Sequence, residues 1–222
     1  MLQPPTLKFL KDLKKNNNKP WFDAHRPAYE AARKDFEVFV QSLIDGLSKK
    51  DEDIAGLTAK ACMFRINRDV RFSKDKSPYK TNFGAFLNKG GKKAMTAGYY
   101  FHLEPGKTFI GGGLYMPMPP DLAKVRQEID YNLKDFKKIV QSPRFKKVYQ
   151  DLDRHDEYTL SRIPKGYEAD HPAAEFLKLK SYVASIPMTD AELTSAAARK
   201  KTMEAYEALL PLVKFLNEAI GN

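Results

Sequence analysis

At 222 residues, with a net charge of +10 from 38 basic and 28 acidic side chains, the chain is long enough to bury a core and is biased toward anionic partners. No apolar run approaches the ~20 residues of a membrane helix, and the N-terminus has neither the basic nor the apolar region of a secretory signal. The single cysteine, Cys62, excludes an internal disulfide, so the expectation is a soluble cytoplasmic protein of one domain over residues 1–222, with no membrane partner.

In chain order, Thr6 is placed to cap a helix running to about Lys15, with Leu7, Leu10 and Leu13 inward, and Asn16-Asn17-Asn18 ends it. Lys19-Pro20-Trp21-Phe22 reads as a turn that plants two aromatics. From Pro27 to Ser48, Tyr29, Ala32, Phe36, Val40, Leu43 and Leu47 step by three or four, which predicts a second helix paired with the first. The period then changes. Ala61–Ile66 and Phe83–Leu87 read as strands around an irregular basic loop, and Asn88-Lys89-Gly90-Gly91-Lys92-Lys93 reads as flexible. Tyr99–Glu104 and Thr108–Met116 flank Pro105-Gly106, whose order suits a type II turn in a hairpin.

Beyond Pro120, a helix is predicted from Leu122, Val125, Ile129, Leu133 and Phe136, and a short one from Ser142 to Gln150. Tyr158–Ile163 and Leu179–Ile186 read as further strands. Thr189 is placed to cap a closing helix from about Asp190, which Pro211 should kink or split. The fold class is α+β, with a central, mostly antiparallel sheet flanked by an N-terminal helix pair and C-terminal helices.

The segment Phe64–Lys80 carries the chemistry. Arg65, Arg68, Arg71, Lys74, Lys76 and Lys80 face only two local acids, Asp69 and Asp75. Arginine's planar fork matches carboxylate and phosphate oxygens, and lysine adds a point charge. Two arrangements compete: internal ion pairs that tie the loop down, or an anion held by Arg65, Arg68, Arg71, Lys74, Lys80 and Tyr79. The excess of cations favours the anion. Nucleic acid is the alternative ligand, using the same loop with Lys89, Lys92 and Lys93 and with Phe72, Tyr79 and Trp21 available to stack on bases. A third arrangement is a structural clasp in a protein that acts through a partner.

Tyr100, His102 and Glu104 share one face of a strand, opposite Tyr99, Phe101 and Leu103. That face is expected to be wet unless the basic loop folds over it, in which case His102 becomes an acid–base group alongside Asp69. Any activity is then hydrolysis or transfer. Gly111-Gly112-Gly113 lies within a strand, where glycines mark a bulge or a close backbone approach rather than a dinucleotide site. The scattered histidines and lone cysteine predict no protein-built metal site, and only a phosphate-borne magnesium ion on Asp69 or Asp75 is left room. Cys62 is expected to be a buried small hydrophobe.

The basic motif Phe64-Arg65-x-x-Arg68-Asp69-Val70-Arg71-Phe72-Ser73-Lys74-Asp75-Lys76-Ser77-Pro78-Tyr79-Lys80, followed by Gly111-Gly112-Gly113-Leu114-Tyr115-Met116-Pro117, resembles the conserved-hypothetical family of domain of unknown function 2461. Asn17-Asn18-Lys19-Pro20-Trp21-Phe22, Pro164-Lys165-Gly166-Tyr167 before Asp170-His171-Pro172, and Leu177-Lys178-Leu179-Lys180 agree with it. The resemblance covers nearly the whole chain and implies one domain, but it carries no catalytic residues.

Overall fold

A computed structural model describes residues 1–221. Its helices are α1 (Pro4–Lys15), α2 (Lys19–Ala24), α3 (Arg26–Leu47), α4 (Ala59–Cys62), α5 (Pro119–Tyr131), α6 (Leu133–Val140), α7 (Pro143–Tyr149), α8 (Ala174–Leu177), α9 (Asp190–Leu193) and α10 (Ala197–Gly221). Four strands, β1 (Phe83–Asn88), β2 (Gly98–Leu103), β3 (Phe109–Leu114) and β4 (Tyr182–Pro187), pair antiparallel in sequence order. The α+β class is therefore as expected, with β4 arriving after an excursion through α5 to α8.

Helices α3 and α10 cover one face of this sheet. Phe36 of α3 packs on Phe83 and Phe101, while Tyr206 of α10 packs on Tyr99. The core face of β2 (Tyr99, Phe101 and Leu103) is wholly buried. Tyr99 donates its hydroxyl proton to buried Asp51 at 2.7 Å, satisfying two polar groups that would otherwise be costly there. The hairpin turn is as expected: the Lys107 amide bonds the Glu104 carbonyl at 2.9 Å, and Gly106 has φ +76°.

Several local expectations are corrected. Thr6 does not cap α1; it lies within the helix and bonds Asp35 at 2.5 Å. Lys19–Phe22 is helical because Asn18 accepts the Trp21 amide and Pro20 suits a first turn. Residues Ala61 and Cys62 end a helix capped by Thr58, and only Met63 bridges to Ala85, so no strand spans Ala61–Ile66. The segment Tyr158–Ile163 makes one bridge, Thr159 to Leu179, after a 3-10 turn. The helix expected beyond Pro120 divides at Asn132. The C-terminal helix divides after α9 rather than at Pro211, which lies on the exposed side of α10, where water can satisfy the carbonyl its ring displaces. The Asn88–Lys93 turn is tied down: Asn88 bonds the Ala94 carbonyl and Thr96, and Lys92 donates to the Lys60 and Met63 carbonyls.

Candidate functional site

The other face of the sheet is built by register. Phe86 pairs with Tyr100, Tyr100 with Gly111, and Gly111 with Ser185, so these four form one row across all the strands. Gly111 leaves a gap in that row where any side chain would stand between Tyr100 and Ser185, and its missing Cβ would lie 2.7 Å from the Ala184 carbonyl. Gly113 is stricter: φ is +112°, and a Cβ would lie 2.0 Å from the Tyr182 carbonyl. The triplet therefore permits close β3–β4 pairing, as expected, and also opens the floor of a cavity.

That cavity has a volume of about 650 Å³. Phe64, Phe86, Met95, Tyr115 and Tyr158 give it apolar walls, and Lys92, Tyr100, Asp153, His155 and Ser185 bring polar groups. The Asp153 amide bonds the Val183 carbonyl at 2.8 Å, and Ser185 Oγ donates to Asp153 Oδ2 at 2.9 Å. Burial raises the Asp153 pKa, although Ser185 and nearby His155 oppose the shift. Burial pushes Tyr100 up to about 12, and burial with neighbouring Tyr115 pushes Tyr158 up to about 12. The Tyr158 and Tyr115 rings meet edge to face at 5.7 Å. The segment 178–181 fixes both: the Lys180 amide bonds the Tyr158 carbonyl at 2.6 Å, and Ser181 Oγ accepts the Met116 amide at 2.8 Å.

The basic segment forms a second, smaller hollow of about 330 Å³, lined by Lys14, Asn17, Arg68, Asp75, Ser77, Tyr79, Lys80, Thr81 and Asn82. Asn17 acts there as a detached peptide group. Its Nδ2 donates to the Tyr79 carbonyl at 2.8 Å and its Oδ1 accepts the Tyr79 amide at 3.1 Å, while Phe22 stacks on the Tyr79 ring at 4.0 Å. Tyr79 is buried by this contact, which holds its backbone and ring, and it remains in the lining of the hollow.

Arg68 and Arg71 are ion-paired to different carboxylates, and the charge of Arg65 acts on Asp69 alongside Arg71. Arg68 reaches Asp75 at 2.5 Å, the Ser77 carbonyl at 3.0 Å and Ser73 at 3.3 Å. Ser77 and Arg68 hold the Asp75 pKa at about 2. Arg71 is exposed and grips Asp69 with two bonds, at 3.0 and 2.7 Å. That grip lowers the Asp69 pKa, and Asp69 borders neither hollow. Arg65 and Lys74 are exposed and, like Lys80, are in no ion pair among the described residues. Lys80 is half-buried, 5.5 Å from the centre of the Phe64 ring, with its pKa lowered by burial and by Arg65.

A hydrogen-bonded row joins the two hollows. The Tyr100 hydroxyl is 3.1 Å from His102 Nδ1, His102 Nε2 is 3.4 Å from Glu104, and Glu104 is 3.5 Å from Lys14 Nζ. His102 stacks on Phe109 at 4.8 Å, and its pKa is lowered by burial against the opposing pull of Glu104. The face expected to be wet is thus half-buried, and His102 meets the cavity through Tyr100. Asp153, His155, Tyr158 and Ser185 were not foreseen from the sequence; the glycine triplet was their only signal. Burial pushes the Cys62 thiol up to about 11, leaving it a buried hydrophobe.

No group of three His, Cys, Asp or Glu side chains suited to a metal ion occurs among the described residues, and no helix there is long and apolar enough to cross a membrane. No curated protein and no solved structure matches the chain significantly. A family model described as a conserved hypothetical protein, domain of unknown function 2461, matches residues 5–215. The chain therefore belongs to that conserved hypothetical family.

Proposed function

We propose that this protein acts in the cytoplasm, as one domain, by binding a small phosphate- or carboxylate-bearing molecule in the hollow between Lys14, Arg68 and Lys80. Lys80 carries the proposal: it is a half-buried cation with no acidic partner, in a hollow that already contains two other cations and a single carboxylate. Burial strengthens its attraction for an anion, because water screens the charge less there. Thr81 and Asn82 add neutral polar groups to the lining. If hydrolysis or transfer accompanies binding, His102 is the better acid–base group, being neutral near pH 7 and joined to Tyr100, whereas Asp69 is ionised and solvent-exposed.

Nucleic-acid binding is the second reading. The observation favouring it is Phe72, 95% exposed at the loop tip with the Arg71 guanidinium 5.8 Å from its ring centre. A thermal-shift screen of inorganic phosphate, acetate and a short single-stranded oligonucleotide separates the two readings. Stabilisation by phosphate that is weaker in Lys80→Met supports the first. Stabilisation by the oligonucleotide alone, lost in Phe72→Ala, replaces it with the second.

A further inference from the structure

The 650 Å³ cavity lies outside the anion hollow and differs from it in chemistry. Its volume falls in the range of small-molecule sites, roughly 300–1,000 Å³. Large apolar side chains that remain exposed gather at its mouth: Phe64, Met95 and Tyr115 line it, and exposed Met116 follows Tyr115 directly. A soluble surface seldom leaves such groups together without a ligand or partner to cover them. The floor at Gly111 is bare backbone, so a flat molecule can lie against the sheet without meeting a side chain there.

Asp153 is the one carboxylate in the cavity lining, beside His155, while Lys92 donates to the Lys60 and Met63 carbonyls. Asp153 is half-buried, takes a hydrogen bond from Ser185 and has no lysine or arginine in ion-pair contact among the described residues. A carboxyl group so placed accepts an N–H donor. The Tyr158 ring stands beside His155 at 5.7 Å and beside Tyr115 at 5.7 Å, offering aromatic surface to a ring.

We infer that this cavity is a second binding site, for a planar aromatic nitrogen heterocycle whose ring packs against Tyr158 and whose N–H group donates to Asp153. The inference does not depend on the anion hollow. Because a charge-assisted hydrogen bond is roughly twice as strong as a neutral one, Asp153→Asn should weaken binding by about tenfold while keeping the Ser185 contact.

The test is calorimetric titration of adenine, indole and toluene into the wild-type protein, Asp153→Asn and Tyr158→Ala. Tyr158→Ala removes a rim side chain outside the sheet, so it remains informative if Asp153→Asn fails to fold. Adenine or indole binding that exceeds toluene binding and weakens in both variants is the expected result. Three results would each overturn the inference: no binding of any probe at millimolar concentration, toluene binding as tightly as the heterocycles, or heterocycle affinity unchanged in the variants.

Discussion

Replacing Asn17 by alanine should release the basic segment from the N-terminal helices. The substitution deletes the two hydrogen bonds to the Tyr79 backbone, 2.8 and 3.1 Å long, in a half-buried setting. Each is worth about 1 kcal/mol net, and a Tyr79 amide or carbonyl left dry adds a further penalty. The total expected loss is about 2–3 kcal/mol. At this chain length each kcal/mol lowers Tm by about 2–4 °C, so the expected fall is about 4–12 °C. Urea unfolding should show a lower midpoint with an unchanged m-value, since the same surface is exposed on unfolding. Asn17→Asp gives a sharper variant. It can still accept the Tyr79 amide but sets a carboxylate against the Tyr79 carbonyl, and it brings negative charge into the cationic hollow, so stability and anion affinity should fall together. A loss below about 0.5 kcal/mol in Asn17→Ala, within the range of ordinary surface substitutions, would refute the clamp.

Gly113→Ala should cost at least about 3 kcal/mol, combining the positive-φ penalty with a clash against the Tyr182 carbonyl; a near-wild-type Tm would contradict the β3–β4 geometry. His102 has a folded pKa below its unfolded value, so its contribution to stability is full above about pH 6.5 and is lost as pH falls through the depressed folded pKa. Stability measured from pH 7.5 to 5 should therefore decline less steeply in His102→Gln, and identical slopes would count against this assignment. Arg68→Ala should raise the Asp75 pKa from about 2 toward the ordinary carboxylate value, read by NMR titration; an unmoved value would show that the Ser77 bonds alone hold it down.

The helices of the core were legible because burial imposes a period: Ala32, Phe36, Val40, Leu43 and Leu47 step along α3 and are all buried. The hairpin was legible from Pro105-Gly106, whose chemistry is local. Short elements were not. Helix α4 exists because Thr58 caps it and Gln41, 18 residues away, accepts the Ala59 amide, and neither interaction leaves a periodic trace. The charge excess of the basic loop was visible in the sequence. The partners were not, because Arg68 chooses Asp75 and Arg71 chooses Asp69 through backbone geometry.

Two stretches tied together only by family resemblance proved to be one physical unit: Asn17 and Phe22 grip Tyr79. Likewise, the Leu177–Lys180 stretch matters because the Lys180 amide holds the Tyr158 carbonyl, and Tyr158 lines the cavity. The cavity itself escaped notice because Gly111 and Ser185 meet only through strand register, and Asp153 joins them from a loop.

Calorimetric titration of inorganic phosphate at low ionic strength, into the wild-type protein and Lys80→Met, tests the anion hollow most directly. The half-buried lysine predicts saturable binding that is weakened at least about tenfold in the variant, a difference of about 1.4 kcal/mol, with the variant still folded. Equal affinity in the two proteins, or no binding to the wild type, would contradict it.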